Sequence, residues 1–179
     1  MNLCVFCASS PHLPDVYRTA ARDLGYAIGE NHMTLVYGGG NTGLMGEVAR
    51  AVHEKGGRVI GIIPEALRQR ERAYTEADTL LITPDMRTRK AELEAQSDAF
   101  VALPGGIGTL EEIVEIITGR YLGYHAKPIF FLNIAGFFDP LFLFFDHAAS
   151  QGFIPPSNRE AWGVVGSVAE LITKLTQPD

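Results

Sequence analysis

The chain has 179 residues, 46% of them apolar and 20% charged, which suffices for one domain with a full core and is too hydrophobic for a disordered chain. A formal net charge of -6 excludes any global attraction to nucleic acid or to an anionic membrane, so a bound phosphate has to be held by local geometry. The opening MNLCVFCASS carries no basic leader, and no apolar run approaches the ~20 residues of a bilayer span; a cytoplasmic protein is expected.

Apolar runs at 2–7, 33–37, 58–63, 79–83, 98–103 and 128–132 alternate with segments of helical period at 14–31, 43–56, 85–97, 109–121, 137–151 and 167–176. A further short strand is expected near 161–165. This alternation predicts an α/β fold, a Rossmann-like open parallel sheet with helices on both faces. No repeat or linker divides it, so residues 1–179 are expected to form a single nucleotide-binding domain. Cys4 and Cys7 form a C-x-x-C within the first strand, where their odd spacing points them to opposite faces; they read as core thiols rather than a redox or metal pair.

In such sheets ligands bind beyond the carboxyl ends of the strands. Three small-residue turns fall at those ends: Ala8-Ser9-Ser10-Pro11, Gly38 to Gly43, and Pro104 to Thr109, implying one elongated polar cleft to which Ser9, Gly39, Gly40 and Gly43 contribute. Gly38-x-Gly40-x-x-Gly43 also matches the dinucleotide fingerprint, with Glu65 at the distance of a ribose-binding acid. That fingerprint normally opens the first strand-helix unit, whereas here a whole unit precedes it and Pro64 separates Glu65 from its strand. Glycines that serve only tight helix-strand packing are the plainer alternative.

The most informative stretch is Pro104 to Glu112, PGGIGTLEE, a glycine turn between a buried strand and an acid-bearing helix. Gly105, Gly106 and Gly108 let backbone amides approach an anion, the helix start adds unpaired N-H groups and its positive dipole end, and Thr109 caps the helix or donates its hydroxyl. Glu111 and Glu112 follow in the first turn, where acids are favoured anyway. In Asp85-Met86-Arg87-Thr88-Arg89-Lys90, Asp85 is a plausible N-cap, and helical spacing puts Met86, Arg89, Lys90 and Leu93 on one face. Two cations sharing a stripe with core residues imply that Arg89 or Lys90 points into a cleft. Farther on, Phe130 to Phe145 holds seven of the ten phenylalanines, and its helix is apolar on both sides, as at a subunit interface or in a fully covered core helix.

Together PGGIGTLEE, MRTRK at 86–90 and GGGNTGLMG at 38–46 resemble the Lonely Guy family of cytokinin riboside 5'-monophosphate phosphoribohydrolases, often labelled lysine decarboxylases. One residue departs from the family pattern: Arg87 stands where a histidine usually follows Met86. The resemblance implies hydrolysis of the N-glycosidic bond of AMP or N6-substituted AMP, without a cofactor or metal, by a homodimer. It makes Arg89 and Glu112 catalytic, and Glu71, Met86, Lys90, Gly105, Gly106, Ile107, Gly108 and Thr109 substrate-binding. A non-catalytic nucleotide carrier and a dinucleotide-dependent oxidoreductase are the alternatives. Nothing in the sequence marks a lysine for pyridoxal phosphate, so the decarboxylase label finds no support there.

Overall fold

The computed structural model describes residues 1–68 and 72–177. Seven strands form one parallel sheet: β1 (Asn2–Phe6), β2 (Thr34–Tyr37), β3 (Arg58–Pro64), β4 (Thr79–Thr83), β5 (Ala99–Ala102), β6 (Ile129–Leu132) and β7 (Gly163–Val165). Their spatial order is β4-β3-β2-β1-β5-β6-β7. The helices are α1 (Asp15–Glu30), α2 (Gly43–Glu54), α3 (Glu65–Arg68), α4 (Met86–Ala95), α5 (Ile107–Tyr121), α6 (Asp139–Ser150) and α7 (Val168–Thr176). No helix among the described residues is long and apolar enough to cross a membrane.

Side-chain alternation along the strands sorts the core into two layers. Leu3 and Val5 of β1, with Cys7 just beyond it, join Leu35, Tyr37, Val59 and Val101 beneath α1, α2 and α7. Cys4 and Phe6 join Val36, Ile60, Ile62 and Phe100 beneath Leu93 of α4 and Ile113, Ile116 and Ile117 of α5. The two cysteines therefore lie on opposite faces, both free and buried. Burial pushes both thiols well above their ordinary range, so they stay protonated and unreactive. The α1/α2 layer depends on close approach: a Cβ at Gly25 would stand 2.6 Å from both Ala51 Cβ and the Val48 carbonyl.

The strand order positions the site. β2, β3 and β4 step away from β1 in one direction, and β5, β6 and β7 in the other, so the connections after β1 and β5 diverge and open a crevice. The turns at that crevice are stitched together. The Ala8 amide donates to the Pro104 carbonyl at 3.3 Å, and the Leu44 amide donates to the Ala8 carbonyl at 2.9 Å. Gly43, at φ 58°, lies so close to the β1-α1 loop that a Cβ there would sit 2.5 Å from the Ser10 carbonyl oxygen.

Two elements differ from the sequence reading. α5 begins at Ile107 rather than at 109, because Gly108 is tolerated in a first turn, where the amides need no intrahelical partner. α6 begins at Asp139, after a 3-10 turn at Ile134–Gly136; Phe138 just before it is buried, whereas Leu143 and Phe144 are 69% and 61% exposed within this chain, so of the two arrangements expected for this helix the fully covered core helix is not the one found.

Candidate active site

The crevice is a cleft of about 360 Å³. The β1-α1 loop supplies one wall through Cys7, Ala8, Ser9 and Ser10; α5 supplies another through Gly106, Ile107, Gly108, Thr109, Glu111 and Glu112. Met45 of α2, Leu67 of α3, and Met86 and Arg89 of α4 complete it.

At its base lies a buried ion pair. Arg89 Nη1 stands 2.7 Å from Glu112 Oε1, and the two side chains are 8% and 10% exposed. Three features hold the guanidinium in place. Asp85 caps α4 by accepting from the Thr88 amide at 2.8 Å, which fixes the helix start. Arg89 Nε donates to the Ile62 carbonyl at the end of β3, at 3.2 Å, and Nη1 lies 3.9 Å from Met86 Sδ. Gly38 supplies the room, because a Cβ there would fall 2.2 Å from Arg89 Nη2. Since guanidinium stays protonated, the pair delivers a fixed cation and a fixed carboxylate to one end of the cleft.

At the other end is the start of α5. Its N-cap, Gly106, makes no side-chain cap bond, and the first helical amide to find its carbonyl is that of Leu110, which donates to Gly106 at 3.1 Å. The preceding amides of the turn are the unpaired donors that hold anions at helix N-termini. The glycines here divide by role. A Cβ at Gly105 would lie 2.1 Å from Thr109 Oγ1, so Gly105 makes room for the buried threonine. At Gly106 and Gly108 no atom lies within 4 Å of such a Cβ, and neither has positive φ, so no protein contact demands glycine at either position. What their missing side chains leave open is the cleft itself.

Of the residues singled out from sequence, the fold gathers Ser9, Met86, Arg89, Gly106, Ile107, Gly108, Thr109 and Glu112 around this cleft. Lys90 is not among its lining residues. Its ammonium pairs with Glu111, and with Glu115 Oε2 at 2.9 Å, which ties α4 to α5 one residue along from the buried pair. Gly39 and Gly40 are buried: Gly39 adopts φ 75° and accepts from the Tyr74 amide, and Gly40 bridges to Ala73. Gly43 does not line this cleft but an adjoining pocket that meets it at Ser10. Glu71 lies outside the described residues. Sequence reading placed Gly38 in a phosphate-type turn but not its part beside Arg89, which is set by a side chain fifty-one positions away, and it missed Met45 and Leu67 as lining residues. Met45 was within reach, lying at the start of the helix that follows the glycine turn.

Residues 45–175 match the protein family described as "possible lysine decarboxylase". A cytokinin riboside 5'-monophosphate phosphoribohydrolase of Arabidopsis thaliana is 46% identical over 98% of this chain and 82% of its own. The chain belongs to the Lonely Guy family. A probable phosphoribohydrolase of the same name from Oryza sativa subsp. japonica is 47% identical, again over 98% of this chain and 78% of its own length. Among solved structures, the molybdenum cofactor carrier protein of Chlamydomonas reinhardtii superposes with a TM-score of 0.76 at 21% identity, over 98% of this chain and 96% of the other. The molybdenum cofactor binding protein of Rippkaea orientalis gives 0.72 at 21%, over 98% and 97%. These two share the Lonely Guy fold, and at such identity the likeness extends no further.

Proposed function

We propose that this Lonely Guy protein hydrolyses the N-glycosidic bond of purine nucleoside 5'-monophosphates, N6-modified adenine nucleotides among them, to free base and ribose 5-phosphate. The observation that carries this is the buried Arg89–Glu112 pair set beside an uncapped helix start in one cleft. Phosphate rests on the amides of Gly106 to Thr109 with the Thr109 hydroxyl. Binding energy from this non-reacting end holds the anomeric carbon near Glu112. As the glycosidic C-N bond breaks, positive charge develops on the sugar; the Glu112 carboxylate stabilises it and orients the attacking water, whose oxygen bonds to the anomeric carbon and whose surplus proton passes to solvent. Arg89 holds that carboxylate by charge and hydrogen bonding and transfers no proton. The base leaves with a proton supplied by water or by Glu71.

Met86, Met45, Leu67 and Ile107 give the cleft an apolar side suited to the base. Lys90 keeps an indirect part in this reading, since its pairs with Glu111 and Glu115 fix α4 against α5. The active unit is a homodimer, for which the exposed Leu143 and Phe144 on α6 and the exposed Ile107, Val114 and Tyr121 on α5 offer apolar surface. Its place is the cytoplasm, a compartment that suits two free cysteines. Incubation of the pure protein with AMP and N6-isopentenyl AMP, followed by chromatography, tests the reading: free base is expected from at least the modified nucleotide. No base from any purine monophosphate would overturn it, and tight AMP binding without turnover would favour a carrier instead.

A further inference from the structure

A second pocket of about 210 Å³ lies across the β1-α1 loop from the cleft and shares Ser10 with it. Arg18 of α1 and Arg50 of α2 line it, together with Asn41 and Thr42 at the start of α2. Its chemistry is organised by Glu47, which is buried on α2. Glu47 Oε1 accepts from Arg18 Nη2 at 2.7 Å, Oε2 accepts from Arg22 Nη2 at 3.2 Å, and Arg50 Nη2 stands 3.9 Å from Oε1. Arg50 Nη1 donates to Asn41 Oδ1 at 2.6 Å.

The spacing explains the convergence: Arg18 and Arg22 are one turn apart on α1, and Glu47 and Arg50 are one turn apart on α2, which packs against α1. Two guanidiniums, Arg18 and Arg50, line the pocket against the single carboxylate of Glu47, a local excess of one positive charge within a chain whose net charge is -6; Arg22, outside the lining, is shared between Glu47 and the nearby Glu54. Each guanidinium carries five donors, and one carboxylate with one amide oxygen occupies few of them. The start of α2 adds its positive dipole end, and the N-cap Thr42 makes no side-chain cap bond there. Like charges gathered in a concavity, with donors left over, are the arrangement that a compact oxyanion completes.

We propose that this pocket binds a phosphoryl group. The group comes either as free phosphate or as the terminal phosphate of a nucleotide whose first phosphate rests in the cleft; only this second source rests on the functional reading above. In both cases Glu47 is the template that holds the arginines apart, and it competes with the bound anion for them.

Calorimetric titration of inorganic phosphate into the full chain, with ribose 5-phosphate saturating the cleft, separates the two sites. Binding is expected to persist, to weaken about tenfold or more in Arg18→Gln/Arg50→Gln as charge-assisted hydrogen bonds are lost, and to tighten several-fold in Glu47→Gln. A merely structural Glu47 would give the opposite sign, since its loss would loosen the arginines. Circular dichroism checks that the variants are folded; the single Arg50→Gln, at a half-exposed side chain, reports the same effect if the double variant is not. In a second arm, ADP binding tighter than AMP binding, with the advantage lost in Arg50→Gln, identifies the nucleotide's own terminal phosphate as the occupant. The proposal is overturned if phosphate fails to bind in the first arm and ADP shows no advantage in the second, or if the arginine variants leave both unchanged. Failure of ribose 5-phosphate and AMP to bind would count against the cleft reading alone, because the phosphate titration stands without them.

Discussion

Replacing Arg89 with methionine tests the buried pair most severely. Methionine refills part of the arginine stem's volume but donates no hydrogen bond, so Glu112 loses the guanidinium 2.7 Å from it in a site where its side chain is only 10% exposed. Removing one member of a buried pair costs about 3–5 kcal/mol, chiefly because the remaining charge stays desolvated. The Ile62 carbonyl loses its 3.2 Å donor as well, so a cost no smaller than the middle of that range is expected, at least about 4 kcal/mol. For a chain of this size each 1 kcal/mol moves Tm by about 2–4 °C, which places the Arg89→Met midpoint about 8–16 °C below wild type. Glu112→Gln in the same background removes the stranded charge and restores part of the loss, so the double variant melts above Arg89→Met. Thermal unfolding of both, with chromatography of free adenine at a temperature where both are folded, supplies the measurement; turnover falls at least about a hundredfold in each. A midpoint for Arg89→Met within 2 °C of wild type, or a double variant that melts lower still, would refute the reasoning.

The glycine assignments separate packing from ligand contact. Gly38→Ala places a Cβ 2.2 Å from Arg89 Nη2 and displaces the guanidinium, so kcat is expected to fall about a hundredfold with the fold retained, as read by steady-state kinetics and circular dichroism. Gly106→Ala meets no protein atom within 4 Å, so Tm stays at the wild-type value while KM for AMP rises about tenfold, the equivalent of one lost anion contact. Gly25→Val forces α1 off α2 and lowers stability by about 1–3 kcal/mol, measurable by urea unfolding, without changing KM. Burial opposes the charge on Glu47, yet the hydrogen bonds of Arg18 and Arg22 outweigh it and hold the carboxyl below 4.5; the Val59 amide does the same for Asp78, and the Thr88 amide for Asp85, below 3.8. Groups with depressed values contribute stability above their unfolded pKa and lose it as pH falls through the folded one, so Tm declines as the pH is lowered from 4.5, and Glu47→Gln shows the shallower decline in a pH series.

The parallel α/β architecture was legible because buried strands and amphipathic helices write different periods into the sequence, and all the expected elements appear. Strand order was not, since placing β5 rather than β4 beside β1 depends on contacts about a hundred residues apart. Within the candidate site, helical spacing put Met86, Arg89 and Lys90 on one stripe but could not say which cation turns inward. That choice rests on Gly38, which leaves the space that the Arg89 guanidinium enters, and on Glu111 and Glu115, which engage Lys90 outside it. The start of α5 was misplaced for a related reason. Glycine reads locally as turn, whereas the first turn of a helix accepts it readily.

Arg89 Nε rests on the Ile62 carbonyl in β3, while its Nη1 reaches Glu112, on the helix that follows β5; β2 and β1 lie between those two strands. The pair is thus a rivet through the seam where the two wings of the sheet meet. α4, which carries the arginine, packs on β3 and β4, so a folding intermediate with only the amino-terminal wing in place has the arginine and its anchor but no glutamate, and one lacking that wing has the glutamate without the arginine's anchor. The ion pair therefore closes only when β5 and the helix after it have docked beside the amino-terminal wing, and its formation on refolding reports the meeting of the two wings rather than the formation of either one alone.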